Sequence, residues 1–112
     1  HDFYFYHIHK LFHSSSYLYK FHRLHHTHIK TCPWDALFAS LPENIILNIF
    51  PVFVLPIIFG INLQYLYIWT LGSTLISVIT HSNFKFTKHT RHHMIFNINY
   101  GSIGLFDIIY NL

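Results

Sequence analysis

Two uncharged runs, IILNIFPVFVLPIIF at residues 45–59 and LQYLYIWTLGSTLISVIT at residues 63–80, decide how this chain folds. Gly60-Ile61-Asn62 separates them. Each run is slightly short of the ~20 apolar residues of a straight membrane-spanning helix, and Pro51 and Pro56 are expected to bend the first. One such run alone would also suit a buried core helix. Two in succession do not, because a globule of 112 residues cannot enclose both and still cover its other aromatic surface, whereas lipid covers them directly. The runs predict an all-α integral membrane protein built on an apolar helical hairpin over about 45–80.

Composition points the same way. Hydrophobic residues make up 52% of the chain, aromatics 20% and charged residues only 10%, too few to solvate the surface of a small soluble domain. The net charge of +3 is modest and reads as orientation in a bilayer rather than as a nucleic-acid footprint. All 7 Lys and Arg residues lie outside 31–84: Lys10, Lys20, Arg23 and Lys30 before it, Lys85, Lys88 and Arg91 after it. Both flanks are therefore expected on the cytosolic side, with Trp34 as an interfacial anchor. A hairpin that enters and leaves through one face brings the flanks together. Length allows one domain, and the start at His1 with no signal-peptide pattern suggests a partial or processed chain. Cys32 is the only cysteine, which excludes an internal disulfide and a Cys-rich zinc site.

The flanks carry the histidines. Of 12 in the chain, His22, His25 and His26 form H-x-x-H-H, His89, His92 and His93 repeat that spacing, and His9 and His13 form H-x-x-x-H. Positions i, i+3 and i+4 share a helix face, so each box is expected to project its imidazoles in one direction. The first stretch, 1–13, is read as a helix, with Asp2 on the face of His9 as either a carboxylate partner for a ligating imidazole or an N-terminal helix charge. Ser14-Ser15-Ser16 supplies a hydroxyl N-cap for the helix carrying the second box. Residues 31–44, TCPWDALFASLPEN, read as a connector, and Gly101 as a positive-φ turn.

The chemistry narrows by elimination. A zinc protease needs Glu after the first histidine of its pair, where this chain has Lys10. A carboxylate-bridged di-iron bundle needs about four Glu, with Glu-x-x-His pairs among them, and the four acidic residues here all lie outside the boxes. No G-x-S-x-G elbow marks a nucleophilic serine. What remains is a site of about nine neutral imidazoles, enough for two metal ions, at a membrane face. With so little acid–base equipment, it suits dioxygen activation and hydrogen abstraction from a lipid C–H bond.

In this order, and separated by an apolar hairpin, the boxes resemble the fatty acid hydroxylase and sterol desaturase superfamily of integral-membrane di-iron enzymes. HDFYFYHIHKLFH, LYKFHRLHH, TCPWDALFASLPE and HTRHHMIFNINYG followed by Asp107 look most like C-5 sterol desaturases, over nearly the whole chain. The resemblance implies His9, His13, His22, His25, His26, His81, His89, His92 and His93 as metal ligands, with Asn99, Tyr100 and Asp107 behind them. His1, His7 and His28 are read as non-ligands. It further implies two iron ions, with zinc as an alternative, electrons from NAD(P)H through cytochrome b5 or a similar donor protein, a sterol or fatty-acyl substrate, and the endoplasmic reticulum. Tyr65, Tyr67 and Trp69 are candidates for the substrate path or for packing against lipid. A hydroxylase of the same superfamily and a non-catalytic metal-binding relative are the rival readings.

The chain departs from the family pattern at Lys10, where arginine is usual, at Leu41 before Pro42, where histidine is usual, and after Asp107. The family's upstream helices do not occur in this sequence.

Overall fold

A computed structural model describes residues 1–83 and 87–110, and no strand occurs among the described residues. Lys85, counted above in the cationic flank, lies outside them. Helix α1 (Asp2–Ser14) runs to Ser15, whose hydroxyl accepts from Leu18 N and caps α2 (Ser16–His22), as the serine triplet predicts. The second box departs from expectation: α2 ends at His22, and His25–Thr27 form a 3-10 turn. A second 3-10 turn, Pro33–Ala36, follows, held by Asp35 accepting from Cys32 N and pairing with His28.

The first apolar helix, α3 (Leu41–Ile58), starts earlier than the connector reading allowed. Pro42 sits in its first turn, where the missing N–H and fixed φ cost nothing, so the proline marks a start rather than a gap. Between Asn44 and Val54 the helix is wound as a π-helix. Its i→i+5 pattern aims the Ile46 carbonyl at residue 51, and Pro51 has no N–H to give. The Tyr4 hydroxyl donates to that carbonyl instead, at 3.0 Å, tying α1 to α3. The helix closes on Gly60, φ 69°, with Ile61 N bonded to Pro56 O and Gly60 N to Ile57 O. That pair of bonds is a Schellman stop, and the left-handed Gly60 makes it cheap. Asn62 then caps α4 (Leu63–His81) by accepting from Tyr65 N. Two apolar helices, α3 and α4, therefore occupy the uncharged runs and are joined by the four residues 59–62. Two short helices complete the fold, α5 (Lys88–Met94) and α6 (Leu105–Tyr110).

Polarity is distributed inside out. Among the described residues the buried apolar side chains are Tyr6, Phe12, Ala36 and Leu47, with Pro51 and Pro56, while eight histidines are buried with them. Ile45, Ile49 and Phe53 of α3 and Ile68, Leu71, Leu75 and Ile79 of α4 are exposed, and only 6% of α4's apolar window is buried. A core helix of a soluble domain would bury its apolar stripe. Both α3 and α4 are long and apolar enough to cross a membrane.

Candidate metal centre

The nine histidines of the boxes and His81 gather in two adjoining groups. His9, His13, His22, His26 and His92 form one, and His25, His81, His89 and His93 the other; within each group the nitrogens lie within 4.8 Å of one another. The boxes are thus divided. In each H-x-x-H-H box the i, i+4 pair stays together and the i+3 histidine crosses to the other group, because adjacent residues point about 120° apart in the 3-10 turn of His25 and His26 and about 100° apart in the helix of His92 and His93. The single-direction fan is corrected: one H-x-x-H-H box serves two centres.

Backbone carbonyls orient the rings. His9 Nδ1 donates to Tyr100 O at 2.7 Å and His92 Nδ1 to Ile98 O at 2.6 Å. In the second group His25 Nδ1 donates to Phe38 O at 3.1 Å and His81 Nδ1 to Ser77 O at 2.7 Å. A carbonyl only accepts, so the proton of each neutral ring is on Nδ1 and its Nε2 is a bare lone pair. Those lone pairs converge. His25 and His81 face each other at 3.2 Å through Nε2. In the first group the Nε2 atoms crowd as closely, His13 lying 2.9 Å from His22, 3.1 Å from His26 and 3.0 Å from His92, and of these four rings His92 is the one whose Nδ1 is held by a carbonyl. Lone pair against lone pair is repulsive unless a cation stands between them, and nitrogens about 2.1 Å from a shared metal are about 3.0–3.4 Å apart. Both nitrogens of His89 and Nε2 of His93 are buried with no hydrogen-bond partner. The donor set fits two metal ions of the kinds imidazole serves, iron, zinc or copper.

Burial keeps these rings neutral. It holds His9 and His89 far below the ordinary histidine range, helped by neighbouring imidazoles, and brings His13 and His25 down to about 4 and His92 to about 3. Neutral rings are the ligating form.

Glu43, read in the sequence as part of a connector, is a site residue. It is 3% exposed and its Oε1 lies 2.7 Å from His22 Nδ1, the carboxylate–histidine pairing that orients a metal ligand. The signal was available: an acid in the first turn of an apolar helix has no solvent to face. Asp2, in contrast, touches no imidazole of either group. Its carboxylate accepts from Ser102 Oγ, Ile103 N, Leu105 N and Phe106 N, which caps α6 and fastens the chain start to it. Asp107 accepts from Tyr100 N and Gly101 N, fixing the loop whose carbonyls hold His9 and His92. Asn99 is the left-handed residue of that loop, φ 58°, and Gly101 is not among the positive-φ residues. Gly101 is needed for space, since a Cβ there would stand 2.7 Å from Asp107 Oδ2.

His1, His7 and His28 stand outside both groups. His7 pairs with Phe3 O and Tyr110, and His28 with Asp35. Leu41, where the resemblance implies a histidine, is 71% exposed. Beside the second group, an apolar cavity of about 430 Å³ lies between α3 and α4 and reaches His81 and His89. Tyr65, Tyr67 and Trp69 do not line it; both tyrosines are exposed on the outer surface of α4.

Comparison with known proteins agrees with this geometry. The sequence profile of the fatty acid hydroxylase family matches residues 1–111. The chain is 29% identical over 109 residues to fatty acid hydroxylase domain-containing protein 2 of Homo sapiens, covering 92% of this chain and 33% of that protein. It is 32% identical over 116 residues to a methylsterol monooxygenase-like protein of Dictyostelium discoideum, covering 90% of this chain and 42% of that protein. The chain thus spans less than half the length of these curated relatives. No solved structure matches it. The profile match over residues 1–111 places the chain in the fatty acid hydroxylase family.

Proposed function

We propose that the protein is part of a membrane-bound, metal-dependent oxidoreductase that uses dioxygen to oxidise a lipid C–H bond. The observation that carries this reading is the convergence of nine neutral imidazoles on two positions, one of them opening to an apolar cavity. The inside-out polarity of α3 and α4 supports membrane insertion, because helices so little buried by protein need lipid to cover them. Cationic residues on both flanks of the hairpin support a cytosolic face for the histidines, consistent with the endoplasmic reticulum as its membrane.

His9, His13, His22, His26 and His92 would hold one ion, and His25, His81, His89 and His93 the other. A redox-active metal bound there supplies the activation of dioxygen, which no side chain of this site can do. The chain's own residues do the positioning. Carbonyls of Phe38, Ser77, Ile98 and Tyr100 fix four rings, Glu43 fixes a fifth, and Asp107 fixes the loop that carries two of those carbonyls. The apolar cavity excludes water from the C–H bond to be broken.

The N-x-N-Y-G tail supports a sterol substrate and C-5 desaturation, while the relatives' names carry hydroxylation. Either reaction consumes one dioxygen and two electrons. Desaturation removes two substrate hydrogens and yields two waters; hydroxylation places one oxygen on carbon and yields one water. Electrons from NAD(P)H through cytochrome b5 or a similar protein would supply the balance. The test is oxygen uptake by the iron-loaded protein in a lipid membrane with an electron donor, followed by mass spectrometry of the sterols and acyl lipids. Uptake with an oxidised lipid supports the reading. Tight zinc, no oxygen uptake and no product would instead identify a non-catalytic metal-binding relative.

A further inference from the structure

The apolar cavity is not apolar throughout. Close to the histidines, a second and much smaller cavity of about 20 Å³ touches His9, His22, His25 and His81. Asn48 of α3 and Ser77 of α4 line both cavities, and besides His81 they are the only polar side chains that do so among the described residues. They stand where a ligand in the large cavity would meet the imidazoles.

The orientation of Asn48 is fixed by its neighbours. Asn44 Nδ2 donates to Leu37 O at 3.3 Å and to Ala39 O at 3.1 Å, so the Asn44 amide oxygen must face the other way. That oxygen accepts from Asn48 Nδ2 at 2.6 Å. That leaves the amide oxygen of Asn48, a residue lining both cavities, as the acceptor that Asn44 does not engage. Ser77 gives its carbonyl to His81, and its hydroxyl can donate or accept. No Asp, Glu, Lys or Arg lines the large cavity, so a charged ligand group has no counter-charge there.

We propose that Asn48 and Ser77 form a polar clamp for the hydroxyl of an otherwise apolar ligand, a lipid alcohol, holding its carbinol carbon beside the four-histidine group. An amide oxygen asks for a donor, and an O–H is the neutral donor such a ligand carries; an alkene offers none. The clamp deepens the oxidoreductase reading, on which it rests for the origin of the hydroxyl, by favouring an alcohol over an alkene as the species held at the centre. Its binding does not depend on turnover.

Trp34 lines the same cavity but is 86% exposed, so a bromoalkane quenches it from the detergent phase and only the excess quenching by the alkanol reports the clamp. A brominated primary alkanol and the bromoalkane of equal length, added at matched mole fractions to the protein in detergent, should both quench its fluorescence, and Trp34→Phe should remove that component. The alkanol is expected to reach half-quenching at an about tenfold lower mole fraction, the value of one added hydrogen bond. In Asn48→Leu with Ser77→Ala the alkanol curve should fall onto an unchanged alkane curve. Equal curves in the wild type, or a preference that survives the double substitution, would overturn the clamp. Loss of alkane quenching together with alkanol quenching would assign Asn48 to packing and overturn it too. Absence of oxygen uptake with the preference intact would count against the oxidoreductase reading alone.

Discussion

His25 and His81 face each other through Nε2 at 3.2 Å, although each has already given its Nδ1 proton to a backbone carbonyl. Two lone pairs pointed at one another inside a protein are held there by the fold against their repulsion, and a cation relieves it. The first prediction follows from that strain. Titrating zinc or iron(II) into metal-free protein should raise its melting temperature, because the ion binds only the folded arrangement. His25→Ala should lose the part of the gain that belongs to the four-histidine group.

Glu43→Ala removes the carboxylate beside His22 and should weaken metal binding about 10–100-fold at the five-histidine group. The four-histidine group, whose rings it does not touch, should keep its affinity. Competition with a chromophoric chelator resolves the two steps.

Asp2→Ala should destabilise the fold by about 2–4 kcal/mol, since four donors from residues 102–106 lose their acceptor, yet leave metal stoichiometry unchanged. Gly101→Ala should do the opposite in kind. Its Cβ drives against Asp107, displaces the Tyr100 carbonyl and frees His9, so metal affinity should fall with stability. Paired melting and metal-content measurements on the two variants separate the roles.

Acid should unfold the metal-free protein early. His25 and His92 are held at about 4 and about 3, against about 6.5 in an unfolded chain, so the unfolded state binds more protons between those limits. Their contribution is complete above about pH 6.5 and declines as pH falls through the window, by at most about 1.4 kcal/mol per unit for each ring. Thermal melting between pH 7.5 and pH 5 checks the direction.

Much of this was legible in the sequence, and the misses have physical causes. The uncharged runs and Gly60-Ile61-Asn62 specified the hairpin, because turn chemistry and hydropathy are local. The spacing of His22, His25 and His26 found the right residues but not their division, since adjacent positions on any helix diverge and only tertiary packing supplies a second centre. Glu43 was passed over because Pro42 read as a break when it was a first turn. Helical phase left Asp2 as either a partner of His9 or an N-terminal helix charge; it stands in the first turn of α1, and its acceptor oxygens serve a loop about a hundred residues away.

The most direct measurement is metal stoichiometry by elemental analysis of purified protein and two single substitutions. Two ions per chain in the wild type are predicted, with one retained in His81→Ala and one in His22→Ala. A wild-type chain that binds a single ion, or none after loading with iron(II) or zinc, would contradict the two-centre account.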